Sequence, residues 1–229
     1  GIQKLSGGGL FGTSFKTTGQ SLGLSLGGGD ITGSITTEES RKKSLFRGTK
    51  RLTSTSSYDS SAIDDAFDAI SESLLAAATT FGIEGADAVI KGFASSVNID
   101  IKDKTEAEIQ DAIAAWVGST TEGLVNAVFG DSLDGLQKEG EGVVDTVNRL
   151  AMNMQAVKGI ADVLGVNFGL TGKAAMVAAT NIVELAGGLE QLSALSSQYY
   201  SAFYSDAEQQ ANLVAQLSES FAALNVTMP

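Results

Sequence analysis

The spacing of apolar residues changes near Tyr58, and this change constrains the fold more than any other feature of the chain. Upstream, apolar residues alternate with small or polar ones, as a half-buried strand requires. The alternating residues are Leu22, Leu24 and Leu26, then, after a glycine run, Ile31 and Ile35. The intervening Gly27-Gly28-Gly29-Asp30 is a turn sequence, so the pattern predicts a β-hairpin.

Residues 1–58 also differ from the rest in composition, with 12 Gly, 10 Ser and 9 Thr. Glycine loses more backbone freedom on ordering than other residues do, and an isolated hairpin is marginal in water. We therefore expect the hairpin to need a neighbour. Residues 1–58 are predicted to form a β segment that contacts partners, and residues 59–229 a helical domain.

Downstream of Tyr58, apolar residues recur at helical spacing. The first such stripe predicts a helix from Ser60 to about Thr80. Two further helices begin with capping boxes, in which a hydroxyl residue is followed three positions later by glutamate; these pairs are Thr105 with Glu108 and Ser205 with Glu208. A short strand is predicted near residues 97–101.

The longest helical pattern predicts a helix over residues 139–164, with its stripe at Val143, Val147, Leu150, Met154, Val157, Ala161 and Leu164. This helix would bundle either with copies of itself or with its own neighbours. A further helix over residues 174–185 is interrupted by Gly187-Gly188, after which Leu192, Leu195, Tyr199 and Phe203 resume a stripe. The predicted fold class is mainly α, with several helices, the N-terminal hairpin segment and the one short strand.

The chain contains no cysteine and no histidine. The commonest general base, the commonest metal ligand and the most reactive nucleophile are therefore missing. Gly7 to Gly12 matches a dinucleotide-binding pattern, but no strand precedes it and no helix follows. We predict that the chain is not an enzyme and assign no catalytic, cofactor-binding or metal-binding residue.

Charge is distributed unevenly along the chain. Residues 1–58 carry a net charge of +5 and the remainder −17, which gives −12 overall. This acidity argues against general nucleic-acid binding. The cations concentrate in one cluster: Arg41, Lys42, Lys43, Arg47, Lys50 and Arg51. The cluster suits a solvated strand, an acidic protein surface or a DNA end, and the scarcity of nearby aromatic residues favours the first two.

A resemblance to a known family rests on the order of several short motifs. Leu185-Ala186-Gly187-Gly188-Leu189 is followed by Tyr199-Tyr200 and Phe203-Tyr204, then by a capped helix ending near Pro229. Upstream lie Lys42 to Phe46, Ile99-Asp100-Ile101 and the start of the helix at Glu106. Together these resemble the C-terminal region of tail tape-measure proteins of long-tailed bacteriophages, in which a tyrosine usually stands where Phe203 stands here.

The resemblance implies a structural protein of the virion that sets tail length during tail assembly. This part of it would sit inside the tail tip, as a homotrimer, against the tail-tip hub, the distal tail proteins and the tail tube. It would leave at infection to assist DNA ejection, with contacts to the genome end and the host membrane. The start at Gly1 fits an internal cut in a longer chain.

Interface candidates come from both halves of the chain. The hairpin residues Leu22, Leu24, Leu26, Ile31 and Ile35 are expected to contact a partner through added strands. The aromatic residues Tyr199, Tyr200, Phe203 and Tyr204 are expected to anchor a contact between chains, with packing inside one chain as the other interpretation. Leu217 and Phe221 on the last helix complete the set.

Two other classes of function stay open at this point. Gly/Ala-rich helices such as residues 174–189 also suit a membrane-active helical protein, either pore-forming or secreted. A hydrolase would have to act through carboxylates, lysines or hydroxyls, because histidine and cysteine are absent, and Glu139 with Glu141 is the candidate carboxylate pair.

Overall fold

The structure, a computed structural model, describes residues 15–42 and 49–223. Its strands are β1 (Lys16–Gly27), β2 (Asp30–Lys42), β3 (Thr49–Tyr58) and β4 (Ser95–Asp100). Its helices are α1 (Ser61–Phe81), α2 (Ala86–Gly92), α3 (Glu106–Phe129), α4 (Val143–Val163), α5 (Gly172–Ala186), α6 (Leu189–Phe203) and α7 (Asp206–Ala223), with a 3-10 turn at Gly130–Leu133. The mainly α fold with an N-terminal hairpin is confirmed.

The chain divides into two compact units. The first contains residues up to Leu74 together with Gly85–Val128, and the second contains Leu75–Glu84 together with Phe129 onward. The predicted division near Tyr58 follows composition, whereas these units follow contacts between residues. Tyr58 is where β3 ends and the chain turns from strand to helix.

The first unit is built on an antiparallel sheet of strand order β3-β2-β1-β4. The predicted hairpin is confirmed as β1 and β2, and both residues of its turn, Gly28 and Gly29, have positive φ. Such a turn suits the right-handed twist of the flanking strands, and glycine adopts it without strain.

One face of this sheet carries the core of the first unit. The register places Leu22 between Ile35 and Ile99, and Leu24 between Gly33 and Val97, so apolar residues form rows across the strands. Phe67 of α1 and Trp116 of α3 pack over these rows in one hydrophobic cluster. Their ring centroids lie 6.0 Å apart.

Polar contacts fix the helices of the first unit to the sheet. The Ser60 hydroxyl donates to the Ile31 carbonyl at 3.0 Å, and the Asp64 carboxylate accepts from the Ile31 amide at 2.6 Å. The buried Trp116 donates from its indole nitrogen to the Ser95 hydroxyl of β4 at 3.1 Å. A buried polar group needs such a partner, so the core position of Trp116 depends on β4.

The second unit is a group of helices in which α4 packs on α5, and α6 packs on both. The stripe predicted on α4 is buried at Val147, Leu150, Met154, Val157 and Ala161. Since α5 of the same chain covers α4, the intramolecular interpretation of this stripe is the one the structure shows. The helix begins at Val143, four residues later than predicted, because the preceding segment forms a turn containing Gly140 with positive φ.

An ion pair closes that turn onto α4. The Arg149 guanidinium donates to both carboxylate oxygens of Glu141 at 2.7 Å and to the Leu136 carbonyl at 2.6 Å. Thr146 and the Lys138 amide donate to the same carboxylate. These donors, Arg149 foremost, lower the pKa of Glu141 to about 2. Glu141 is therefore held as a structural carboxylate.

Candidate functional site

An exposed apolar stripe runs along α6. It consists of Leu195, Tyr199 and Phe203, which recur every four residues and are exposed by 53%, 50% and 72%. The Tyr199 and Phe203 rings stack with centroids 4.6 Å apart. We call these three residues the α6 stripe. Residues at this spacing share one helix face, so the stripe is a continuous surface.

The helix that carries the stripe has little charge and no buried residue. Glu190 is its only charged residue, and no charge follows until Asp206. Water stabilises a solvated helix face through charged and polar side chains, and on α6 the exposed serine and glutamine residues flank the three large apolar residues of the stripe. The composition of α6 therefore suits contact with another apolar surface.

The neighbouring aromatic residues, Tyr200 of α6 and Tyr204 directly after it, face inward instead. Tyr204 donates its hydroxyl to the Leu164 carbonyl at the end of α4, at 2.7 Å, and Tyr200 is half-buried with its hydroxyl 3.5 Å from the Gln209 carbonyl. The two rings stack with centroids 4.8 Å apart. Because one residue corresponds to about 100° of helix rotation, adjacent aromatic residues face different directions.

The corner before α6 and the start of α7 position this surface. Gly187 and Gly188 both have positive φ, which ends α5 and begins α6, as the glycine pair predicted. At the start of α7 the predicted capping box is confirmed: Ser205 donates from its amide and hydroxyl to Glu208 at 2.8 and 2.6 Å. These two bonds hold the pKa of the Glu208 carboxyl below its usual value.

The structure separates the four predicted aromatic interface residues into two pairs. Tyr199 and Phe203 are free to meet a partner, whereas Tyr200 and Tyr204 are engaged within the chain. For the second pair, therefore, packing inside one chain is the interpretation that the structure supports. Leu217 and Phe221 fall on α7, but their side chains lie outside those described.

The predicted hairpin residues need a correction. Leu22, Leu24, Leu26 and Ile31 are at most 5% exposed, and Ile35 is half-buried against them. They form the core of the first unit, because α1 and α3 cover the face they occupy, and they are not available to a partner in this fold. The hairpin also has its neighbours within the chain, since β3 pairs with β2 and β4 pairs with β1.

Sequence reasoning missed other exposed apolar residues of the second unit. Leu185 at the end of α5 is 89% exposed, and Leu213 and Val214 on α7 are 57% and 54% exposed. Leu195 was predicted as part of the helical stripe but not as a contact residue. The signal that could have identified it is its place one turn before Tyr199 on an uncharged helix.

The described residues provide neither a metal-binding cluster nor a membrane-spanning helix. In residues 15–42 and 49–223, no three carboxylates or other metal-ligating side chains come together to hold a metal ion. Among the described helices, none has the length and apolarity that crossing a membrane needs. The glycine pattern at Gly7 to Gly12, with Lys43 and Arg47 of the basic cluster, lies outside the described residues.

Neither protein-family models, nor curated proteins, nor solved structures give a significant match to the chain.

Proposed function

We propose that the chain is the C-terminal part of the tape-measure protein of a long-tailed bacteriophage. In this role it is a structural protein of the virion that helps to set tail length, lies inside the tail tip, and leaves at infection to assist DNA passage. The motif order described above supports the tail assignment. The single structural observation that carries the proposal is the α6 stripe, because an exposed apolar surface of this kind indicates a chain that functions by binding other proteins.

The stripe has the properties of the central part of a protein interface. Aromatic residues bring a large contact area and few rotatable bonds, and charged residues are depleted at interface centres. Tyr199 and Phe203 provide such an area on a helix without charge between residues 191 and 205. We assign this surface to contacts between copies, in a homotrimer, and to the tail-tip hub and distal tail proteins.

The contact role can be tested by changing the stripe. The double variant Tyr199→Gln and Phe203→Gln removes the exposed rings and keeps residues that helices accept. The matched control, Val144→Gln with Met152→Gln, removes two exposed apolar residues of α4 instead. Analytical ultracentrifugation should show self-association of the unmodified chain and of the control, and loss of association in the stripe variant with an unchanged helical circular dichroism spectrum.

The tail assignment needs a separate test. Antibodies against the purified chain should label one end of the tails when particles of the phage that encodes the chain are opened and viewed by immunogold electron microscopy. If no particle is labelled, the tail assignment is wrong. Release of dye from liposomes by the purified chain would favour the membrane-active alternative, since an exposed amphipathic helix also suits a bilayer surface.

A further inference from the structure

The outer edge of β3 is a second candidate surface, and it belongs to the first unit. Within the described residues β3 pairs with β2 alone, so the other edge of its 10 residues offers unpaired backbone N–H and C=O groups. Every residue from Thr49 to Ser57 is exposed. An exposed edge of this kind accepts an added strand unless the protein protects it.

The opposite edge of the sheet is less suited to this role. It is formed by β4, which has only 6 residues and carries Val97 and Ile99 half-buried toward the core. Short edge strands are one of the ways in which proteins limit strand addition. β3 is longer, and from Leu52 to Tyr58 it has no charged residue that would repel a neighbouring strand.

Cations concentrate at one end of the β3 edge. Arg41 of β2 lies directly opposite Lys50 of β3. On the other face, Lys16 and Arg51 flank Ser40 in one row across three strands. Like charges directly opposite each other destabilise a sheet, so this arrangement is unfavourable without an anion beside it.

The two nearby acids offset the positive charge at this end of the sheet only in part. Glu38 and Glu39 lie on β2 beside the cations, yet in the described part of the chain no ion pair within 4.0 Å links either of them to the four cations. Arg41 packs its guanidinium 5.3 Å from the centre of the Phe15 ring, and its buried Nε has no hydrogen-bond partner among residues 15–42 and 49–223. Four cations against two carboxylates leave an excess of positive charge.

We propose that the β3 edge binds an extended acidic polypeptide segment, which adds to the sheet as a fifth strand. The free backbone groups would supply the pairing, and Lys50, Arg51 and Arg41 would select acidic side chains at one end. A nucleic acid fits less well. It cannot pair with a strand edge, and the described residues around the cluster offer no exposed aromatic side chain for base stacking. This inference is independent of the proposed function, because it concerns another unit and other chemistry.

The experiment uses the full chain and a defined probe. The probe is an acetylated and amidated peptide of alternating Glu and Val, equal in length to the 10 residues of β3. A second peptide with proline in place of valine has the same charge but cannot pair as a strand. Fluorescence anisotropy should show binding of the first peptide at least about tenfold tighter than of the second, weakening as salt rises from about 0.05 M to about 0.5 M.

Chain variants locate the site. Lys50→Glu with Arg51→Glu should reduce binding of the Glu/Val peptide at least about tenfold, since each change turns attraction into repulsion. The control Lys102→Glu with Lys104→Glu makes the same change in net charge on residues outside the sheet and should bind as the unmodified chain does. The sheet signal in circular dichroism checks that each variant folds.

Any of the following four outcomes would contradict the proposal. Equal binding of both peptides would show attraction by charge alone, and tighter binding of a duplex DNA than of either peptide would show a phosphate ligand. Self-association lost in the Lys50→Glu and Arg51→Glu variant but retained in the stripe variant would show that a second copy occupies the edge. Failure of the Glu/Val peptide to bind would remove the inference and leave the proposed function untouched.

Discussion

At the scale of single residues, Gly33 shows how closely the sheet of the first unit is packed. A Cβ atom at this position would lie 2.7 Å from Tyr58 Cδ1, 3.1 Å from Tyr58 Cβ and 3.3 Å from Leu24 Cδ2. The first distance is too short for a real contact and the other two are tighter than most, and a Tyr Cβ cannot move without its backbone. Glycine at this position therefore lets the Tyr58 ring cover the strand beside it.

We expect Gly33→Ala to lower the free energy of unfolding of the first unit by about 1–3 kcal/mol, the usual cost of overpacking. The control is Gly27→Ala, where a Cβ would meet nothing within 4 Å. Urea unfolding followed by fluorescence measures the effect, because the only tryptophan, Trp116, is buried in this unit. Equal midpoints for the two variants would contradict the packing argument.

Tyr204 offers a second test at the same scale. Tyr204→Phe removes the hydroxyl that bonds to the Leu164 carbonyl, so the second unit should lose about 1 kcal/mol of stability. Tyr199→Phe removes a hydroxyl from the exposed ring and should change nothing. Thermal unfolding followed by helical circular dichroism separates the two cases, and an identical loss in both would contradict the inward placement of Tyr204.

At the scale of elements, the turn closed by Glu141 and Arg149 should show a distinct pH dependence. The folded-state pKa of Glu141 is about 2, below its ordinary value of 4.5, so folding favours the charged form. Its stabilisation is complete above about pH 4.5 and is lost as the pH falls toward 2. Glutamine does not titrate.

We therefore expect Glu141→Gln to cost about 2 kcal/mol above pH 4.5, with the difference from the unmodified chain shrinking as the pH falls toward 2. Partial exposure of the pair to solvent keeps this cost below that of a fully buried one. Glu139→Gln, at an exposed neighbouring position, is the control. Chemical unfolding at several pH values provides the measurement, and a difference that grows toward low pH would contradict the assignment.

The sequence predicted well those elements whose defining residues are close to one another in the chain. The hairpin turn, the two capping boxes and the buried stripe of α4 each depend on residues within a few positions of one another. Pairing of β4 with β1 was missed, because the two strands lie far apart in sequence. Helix α2 was missed because its 7 residues are too few for a clear period.

The candidate site was predictable only in part, for a related reason. The helical period showed that Tyr199 and Phe203 share one face and that Tyr200 and Tyr204 share the next. It did not show which of these two faces packs inward. Which pair packs inward depends on the Leu164 carbonyl, 40 positions before Tyr204. Likewise, the hairpin alternation identified Leu22 and Leu24 as one face of a sheet, and only α1 and α3 show that this face is buried.

At the scale of the whole molecule, the first unit should fold without most of the second. Its core draws on residues of β1, β2, β4, α1 and α3 that lie between Leu22 and Val117. A fragment of residues 1–128 should keep the Trp116 indole shielded from water, whereas a fragment of residues 1–58 lacks every helix that covers Leu22 and should remain unfolded. Limited proteolysis tests both, and a resistant core within residues 1–58 would contradict the core described here.

The two aromatic faces of α6 are separated by a single position, which makes their roles sensitive to helix phase. Inserting one residue just after Gly188 would carry Tyr199 and Phe203 into the inward positions, where a phenylalanine has no hydroxyl to offer the Leu164 carbonyl. Deleting one residue there would turn Tyr200 and Tyr204 outward instead. A change of one residue in the length of this helix therefore disturbs both faces at once, whereas a single substitution disturbs only one of them.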